Sequence, residues 1–276
     1  MRDGTPTAAS PLQGFVARHA HLLVLTGAGC STASGIPDYR DRNGAWKRKP
    51  PITLQAFMGE PYTRARYWAR SLVGWPSFGA AKPNATHRAL AELERRGKLT
   101  LLVTQNVDGL HQRAGSRHVV DLHGRLDTVR CMACDWRGPR DAFQRELSAR
   151  NPDWVGLVAH IAPDGDADLE GMDFANFDIP PCPRCGGIVK PDVVFFGEGV
   201  PRGRVDAANA ALAGADAMLV VGSSLMVYSG YRFVRAAVAA GKPVATISLG
   251  HTRADAIVTL KIEATCEEAL EFVLGE

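Results

Sequence analysis

No apolar run in this 276-residue sequence reaches the ~18–20 residues that a helix needs to cross a bilayer, which argues against an integral membrane protein. The start, Met1–Pro11, has no continuous apolar stretch after Arg2, so no secretory leader is expected and a soluble, intracellular, cytoplasmic protein is. An excess of one charge is also missing. With 32 basic and 29 acidic side chains the net charge is +3, too balanced for a chain that lives on nucleic acid. Lys47-Arg48-Lys49 and Arg95-Arg96 could suggest a nucleic-acid module but read better as solvated faces. Internal repeats and low-complexity tracts are absent, which leaves out solenoids and disordered linkers. Six cysteines, four in metal-like pairs with Cys30 and Cys266 apart, fit a reducing compartment better than a secreted disulfide framework.

What is present is the material of a globular protein. Hydrophobic residues make up 46% of the chain, enough for the core of one large or two modest domains. Short apolar runs at His21–Thr26, Leu99–Thr104, Ala217–Gly222, Val244–Ser248 and Ile257–Ile262 read as buried parallel strands. Pro83–Gly97, Gly230–Ala240 and Glu267–Leu274 carry apolar residues at helical spacing between them. Alternating strands and helices predict an α/β fold with a Rossmann-like, doubly wound parallel sheet. Gly44–Lys82 and Arg125–Lys190 break the alternation and read as an inserted smaller lobe. The expected division is therefore residues 12–43, 83–124 and 191–276 for the sheet domain, and 44–82 and 125–190 for the small lobe.

The small lobe holds two Cys-x-x-Cys pairs, Cys131/Cys134 and Cys182/Cys185, which are expected to supply the four thiolates of a tetrahedral structural zinc, with disulfides or redox chemistry as the competing reading. A full set of four leaves no open coordination position, so catalysis is expected elsewhere. The interval Asn151–Pro181 carries Asp153, Asp164, Asp166, Asp168, Glu170, Asp173 and Asp178 but no Lys or Arg. A calcium loop starting at Asp164 would need Gly and Glu where Leu169 and Ala175 stand, so a solvated acidic loop is expected instead.

The first strand runs into Thr26-Gly27-Ala28-Gly29-Cys30-Ser31, followed by Ser34-Gly35-Ile36-Pro37-Asp38-Tyr39-Arg40. Glycine lets backbone approach a phosphate, but Thr32 occupies the third glycine position of the dinucleotide fingerprint, and tight packing alone could explain the turn. Thr104-Gln105-Asn106-Val107-Asp108-Gly109-Leu110-His111 and Gly222-Ser223-Ser224 follow two further strands. Their amide, carboxylate, imidazole and hydroxyl groups are expected to grip a ligand at the carboxyl ends of the sheet. A lone His before Gly is more often structural, but the place of His123 beside the zinc module and the polar strand ends makes it a catalytic candidate, and the resemblance that follows implies the role of general base.

Together these motifs, with His123-Gly124 and Lys190-Pro-Asp-Val-Val-Phe-Phe-Gly-Glu198, resemble the sirtuins, a family of NAD-dependent protein deacylases, over roughly Leu22 to Cys266. Arg66-Tyr-Trp-Ala-Arg70, Val73-Gly-Trp-Pro76, Ala162-Pro-Asp-Gly-Asp166 and Tyr228-Ser-Gly-Tyr-Arg-Phe233 are similar to the class II branch, which includes mitochondrial sirtuin four and bacterial relatives. The resemblance implies that acyl groups pass from lysines of protein partners to ADP-ribose, releasing nicotinamide. Mono-ADP-ribosyl transfer is the alternative activity.

It also implies site roles. Gly27, Ala28, Gly29, Asp38 and Arg40 would hold or cover NAD; Ile36 and Asp108 would bind its carboxamide; Gln105 and Asn106 would order the ribose and nearby water, Asn106 joining His123 in catalysis. Gly222, Ser223, Ser224 and Ser248 would line the phosphate and ribose side, and Cys266 the adenine end. Val194, Phe195, Gly197 and Glu198 would pair with substrate peptide as an added strand. The family usually has Asn in place of Ser248 and an acidic residue in place of Ala33. Tyr67 and Arg70, three residues apart on an expected helix, match the spacing of a pair that selects acidic acyl groups; a surface position for Arg70 is the competing expectation.

Overall fold

A computed structural model describes residues 10–47, 51–159, 165–169 and 171–275. Most of Met1–Pro11, two residues of the Lys47–Lys49 basic tripeptide, and Ala162, Pro163, Asp164 and Glu170 lie outside these residues. In chain order the elements are α1 (Pro11–Arg18), β1 (Leu22–Thr26), α2 (Leu54–Gly59), α3 (Pro61–Ala80), α4 (Ala85–Arg95), β2 (Leu99–Thr104), α5 (Leu110–Arg113), β3 (Val119–Asp121) and β4 (Gly124–Cys131). There follow β5 (Arg137–Pro139), α6 (Arg140–Arg150), β6 (Val189–Val193), α7 (Arg202–Gly214), β7 (Ala217–Val221), α8 (Tyr228–Ala239), β8 (Val244–Ile247), β9 (Leu260–Ile262) and α9 (Cys266–Leu274).

Six strands form a parallel sheet in the order β3-β2-β1-β7-β8-β9. Strands β1, β7 and β8 are buried at every position, which is why they read as unbroken apolar runs. Alternate residues serve opposite faces. Leu22 and Val24 join a core with α1, α4 and α9, while Leu23 and Leu25 join one with α7 and α8. Thr26 pairs in register with both Thr104 and Val221, so the carboxyl ends of β1, β2 and β7 finish level. From the neighbouring strands β1 and β7 the chain goes on to helices on opposite faces, α4 and α8, which makes their shared end the position at which open α/β sheets bind ligands.

A second sheet, β5-β4-β6, is antiparallel, and with α2, α3 and α6 it surrounds a separate core containing Phe57, Trp68, Phe143, Leu147 and Val189. Strand β6 straddles the expected boundary at residues 190/191. The interval 151–181 is not the solvated loop its composition suggests: Asp166, Ala167, Leu169, Phe174 and Phe177 are buried, and Trp154 stacks on Phe174 with centroids 5.5 Å apart. Apolar side chains spaced between the acidic ones anchor it in the small-lobe core. The final strand is also shorter than expected, because Ile257 and Val258 belong to a turn whose amides donate back to Ala254 O at 2.9 and 3.2 Å. Helix α8 starts at Tyr228 rather than Gly230, and α1 and α7 went unread because their buried faces are short or alanine-rich.

Candidate active site

The turn after β1 is closed by backbone. Gly27 N donates to Val221 O at 3.1 Å and Gly29 N to Gly222 O at 2.8 Å. A Cβ on Gly27 would stand 2.7 Å from Ser223 Cβ, and one on Gly222, at φ +64°, would stand 2.4 Å from Cys30 N. These glycines therefore let two strand-end turns pass each other. The Gly27 and Gly29 amides are committed to the protein, so what the turn offers a ligand is close approach rather than those two N–H groups.

The turn after β2 meets the first one side on. Ser31 Oγ donates to Asp108 Oδ2 at 2.7 Å, and Asn106 Nδ2 donates to Gly27 O at 3.1 Å and Ser31 Oγ at 3.0 Å. Burial pushes the Asp108 carboxyl above the ordinary carboxylate range, against hydrogen bonds from Leu110 N and Ser31 that favour the charged form. Gln105 Nε2 donates to Ser223 Oγ at 2.7 Å and so links the β2 and β7 ends. His111 does not join this group. It is buried beneath the floor, Nε2 2.9 Å from Thr26 Oγ1; that hydroxyl already donates to Thr104 Oγ1, so the imidazole N–H is the donor. His87 lies beside it, its pKa lowered to about 4 by burial, then by Arg88.

His123 ends the segment between β3 and β4. Its Nδ1 lies 3.0 Å from Gln105 O and its Nε2 2.7 Å from Ser229 Oγ. A carbonyl only accepts, so Nδ1 carries the proton and Nε2 receives the serine hydroxyl. Burial lowers the imidazole pKa, the Gln105 carbonyl opposes this, and Arg204 adds to the lowering. The net lowering favours the neutral ring, with the Nε2 lone pair facing Ser229.

Apart from His111, the expected ligand residues, His123 and Asn106 included, line one cavity of about 690 Å³. Segment 38–47 covers it. Asp38 pairs with Lys47, the Arg40 guanidinium lies 4.0 Å from the centre of the Trp46 ring, and His251 N donates to Arg42 O at 2.7 Å. Ser248 Oγ accepts from Gly250 N at 3.4 Å, and the Cys266 thiol, raised to about 12 by burial and Glu267, donates to Gly29 O at 3.7 Å. Residues 194–198 form a supported turn rather than a fully open strand edge. Val194 N donates to His123 O at 2.7 Å, Phe195 N to Glu198 Oε2 at 2.9 Å and Leu54 N to Phe196 O at 2.9 Å. Glu198 also pairs with buried Lys190 at 3.1 Å.

Sequence reasoning missed Ser31, Ser229, Met226 and Arg232, which line the same cavity. Tyr67 lines it too, 5.3 Å from Phe195 between ring centres, but Arg70 is neither a pocket residue nor a free surface charge. Its Nε donates to Ala167 O at 2.7 Å, and Ala167 N returns a bond to Arg70 O at 2.9 Å.

The four expected metal ligands converge in the small lobe. Sulfur separations are 3.5 Å for Cys131–Cys185, 3.5 Å for Cys134–Cys185 and 3.8 Å for Cys134–Cys182, and none of the four is in a disulfide. Tetrahedral zinc at about 2.3 Å from each sulfur separates them by about 3.8 Å, so the set fits. Gly187 passes so close that a Cβ would stand 3.1 Å from Cys131 Sγ.

A model of the Sir2 family matches residues 27–229. The chain is 67% identical over 273 residues to an NAD-dependent protein deacetylase of Bordetella bronchiseptica, covering 99% of this chain and 100% of that one. It is 65% identical over 262 residues to one of Xanthomonas campestris pv. campestris, covering 95% and 89%. A solved structure described as Sir2-p53 peptide-NAD+ superposes with a TM-score of 0.77 at 28% identity over 98% of both chains.

Proposed function

The chain belongs to the Sir2 family, and from that premise we propose that it is an NAD-dependent protein deacylase, removing acyl groups from lysine side chains and releasing nicotinamide and O-acyl-ADP-ribose. The observation that carries the reading is the convergence of three polar strand ends on one cavity that also contains a neutral, proton-accepting His123. NAD supplies an anomeric carbon from which nicotinamide can leave as the acyl amide oxygen attacks. Holding the two reactants together supplies much of the rate.

The residues divide the work. Gly27, Ala28, Gly29, Asp38 and Arg40 shape and cover the phosphate end; Gly222, Ser223, Ser224, Ser248 and Cys266 complete the ribose and adenine side. Ile36 and Asp108 hold the carboxamide, and Gln105 and Asn106 set the ribose. His123 Nε2 takes the proton of a ribose hydroxyl, a task suited to an imidazole that stays neutral. Val194, Phe195, Gly197 and Glu198 support the peptide. Zinc, held by Cys131, Cys134, Cys182 and Cys185, is structural. The lobes divide near residues 12–43, 83–124 and 191–276 against 44–82 and 125–190, with β6 carried by the small lobe. The likeness of Tyr228–Phe233 to the class II branch supports membership of that branch, and cysteines free of disulfides support work in the cytoplasm.

Tyr67, Phe78, Leu126, Val193 and Phe195 give the cavity an apolar wall, and Arg70 is tied away from it. Neutral acyl chains are therefore preferred over acidic ones. Incubation with NAD and lysine peptides bearing acetyl, longer neutral and succinyl groups tests the whole reading. Nicotinamide and acyl-ADP-ribose should appear in equal amounts, fastest from neutral chains. ADP-ribose attached to protein with acyl-lysine intact would replace this function by mono-ADP-ribosyl transfer.

A further inference from the structure

Ser229 occupies an unusual position for a residue in the first turn of a helix. Its hydroxyl lies 2.7 Å from His123 Nε2, the nitrogen that must accept a proton, while Nδ1 is already tied to Gln105 O at 3.0 Å. The two bonds at opposite ring nitrogens fix both orientation and tautomer. The placement of α8 is tight. A Cβ on Gly230 would stand 2.6 Å from Gln105 Oε1, so the first turn of α8 is pressed against the segment that carries the second anchor of the ring. Ser229 also lines the cavity. Imidazole Nε2 has one lone pair, and in this state the serine holds it.

Resting on the assignment of His123 as base, we infer that Ser229 is a positioning residue that holds the Nε2 lone pair in the substrate-free enzyme and yields it to the ribose hydroxyl when substrate binds. No covalent bond changes in the exchange; one O–H donor replaces another. Donation to Nε2 stabilises the neutral ring, so the exchange keeps His123 deprotonated until the reacting hydroxyl arrives. Among charged groups on the surrounding elements, Arg204 of α7 acts on the ring in the same direction as burial. Asp121 and Arg125 flank His123 along the chain, and Asp108, Glu198 and Arg232 line the same cavity. None of these changes when Ser229 does.

The test is a pair of pH profiles for the zinc-loaded enzyme, its Ser229→Ala and Ser229→Thr variants, and His123→Ala. kcat/KM reports the free enzyme and kcat the substrate complex. In Ser229→Ala the acid limb of kcat/KM should move to higher pH while that of kcat stays in place; Ser229→Thr, which keeps the hydroxyl, should restore the wild-type profile. Unchanged profiles in Ser229→Ala would overturn the inference. So would an equal loss of kcat at every pH, which would mean that Ser229 stays bonded through turnover. Equal zinc content and thermal midpoint exclude misfolding. An inactive His123→Ala keeps the base assignment standing whatever Ser229 does, and an active one removes that assignment first.

Discussion

His123 couples chemistry to burial in a way that can be measured. Burial and Arg204 lower its pKa, so the base is neutral at pH values where an ordinary histidine, near ~6.5, is half protonated. Activity that needs the neutral ring rises as pH rises through the pKa, and the acid limb of kcat/KM should therefore lie below ~6.5. A limb at or above that value would contradict the environment described here. Replacing His123 by Ala should cost ~10²–10⁴ in deacylation rate and leave NAD binding measurable, because no phosphate contact is lost. Isothermal titration with NAD, alongside turnover, separates the two effects. Asp108 stood out in the sequence as a polar residue after an apolar run and His123 by its place before the zinc module, and both line the cavity. Ser229 was not, since serine is ordinary in the first turn of a helix. His111 was misread, because only the course of α5 reveals that its ring turns under the floor to Thr26 rather than into the cavity.

At the scale of elements, legibility followed burial symmetry. β1, β7 and β8, covered on both faces, announce themselves as continuous apolar runs. The interval 151–181 does not, because its few apolar residues are spaced among acids and meet their partners far away in sequence. Its docking on α3 is close. A Cβ at Gly74 would stand 2.0 Å from Gly165 O and 2.9 Å from Ala167 N, next to the Arg70–Ala167 bonds. Gly74→Ala must push the interval off the helix. Overpacking of this kind costs about 1–3 kcal/mol, and a urea midpoint equal to wild type would show that the contact yields freely. Phe174→Ala, which empties a buried ring site beside Tyr62 and Trp154, should cost about 3–5 kcal/mol. A value within error of zero would return the interval to the status of a surface loop.

Across the whole molecule, the zinc module and His123 are joined directly by one strand pair. β4 begins at the residue after His123 and ends at Cys131, and β6 runs from Val189 beside the second cysteine pair to Val193, after which Val194 N donates to His123 O at 2.7 Å. The cysteine knuckle closes the far end of this strand pair, with Cys182 N bonded to Gly187 O at 2.9 Å and Met132 N to Ile188 O at 2.8 Å. The parallel sheet has its own two cores and no ligand in the metal site. Because structural zinc binding is itself folding free energy, Cys182→Ala should lose the metal and loosen β4 and β6. Loosening these strands frees His123 and the 194–198 turn together. Deacylation and peptide KM should then suffer while far-ultraviolet circular dichroism retains most of the helix content of the parallel-sheet domain. Metal analysis, circular dichroism and kinetics on one preparation check each part. Zinc-free protein with wild-type peptide KM would break the proposed link between the module and the site, and folded wild-type protein containing no zinc would remove the module itself.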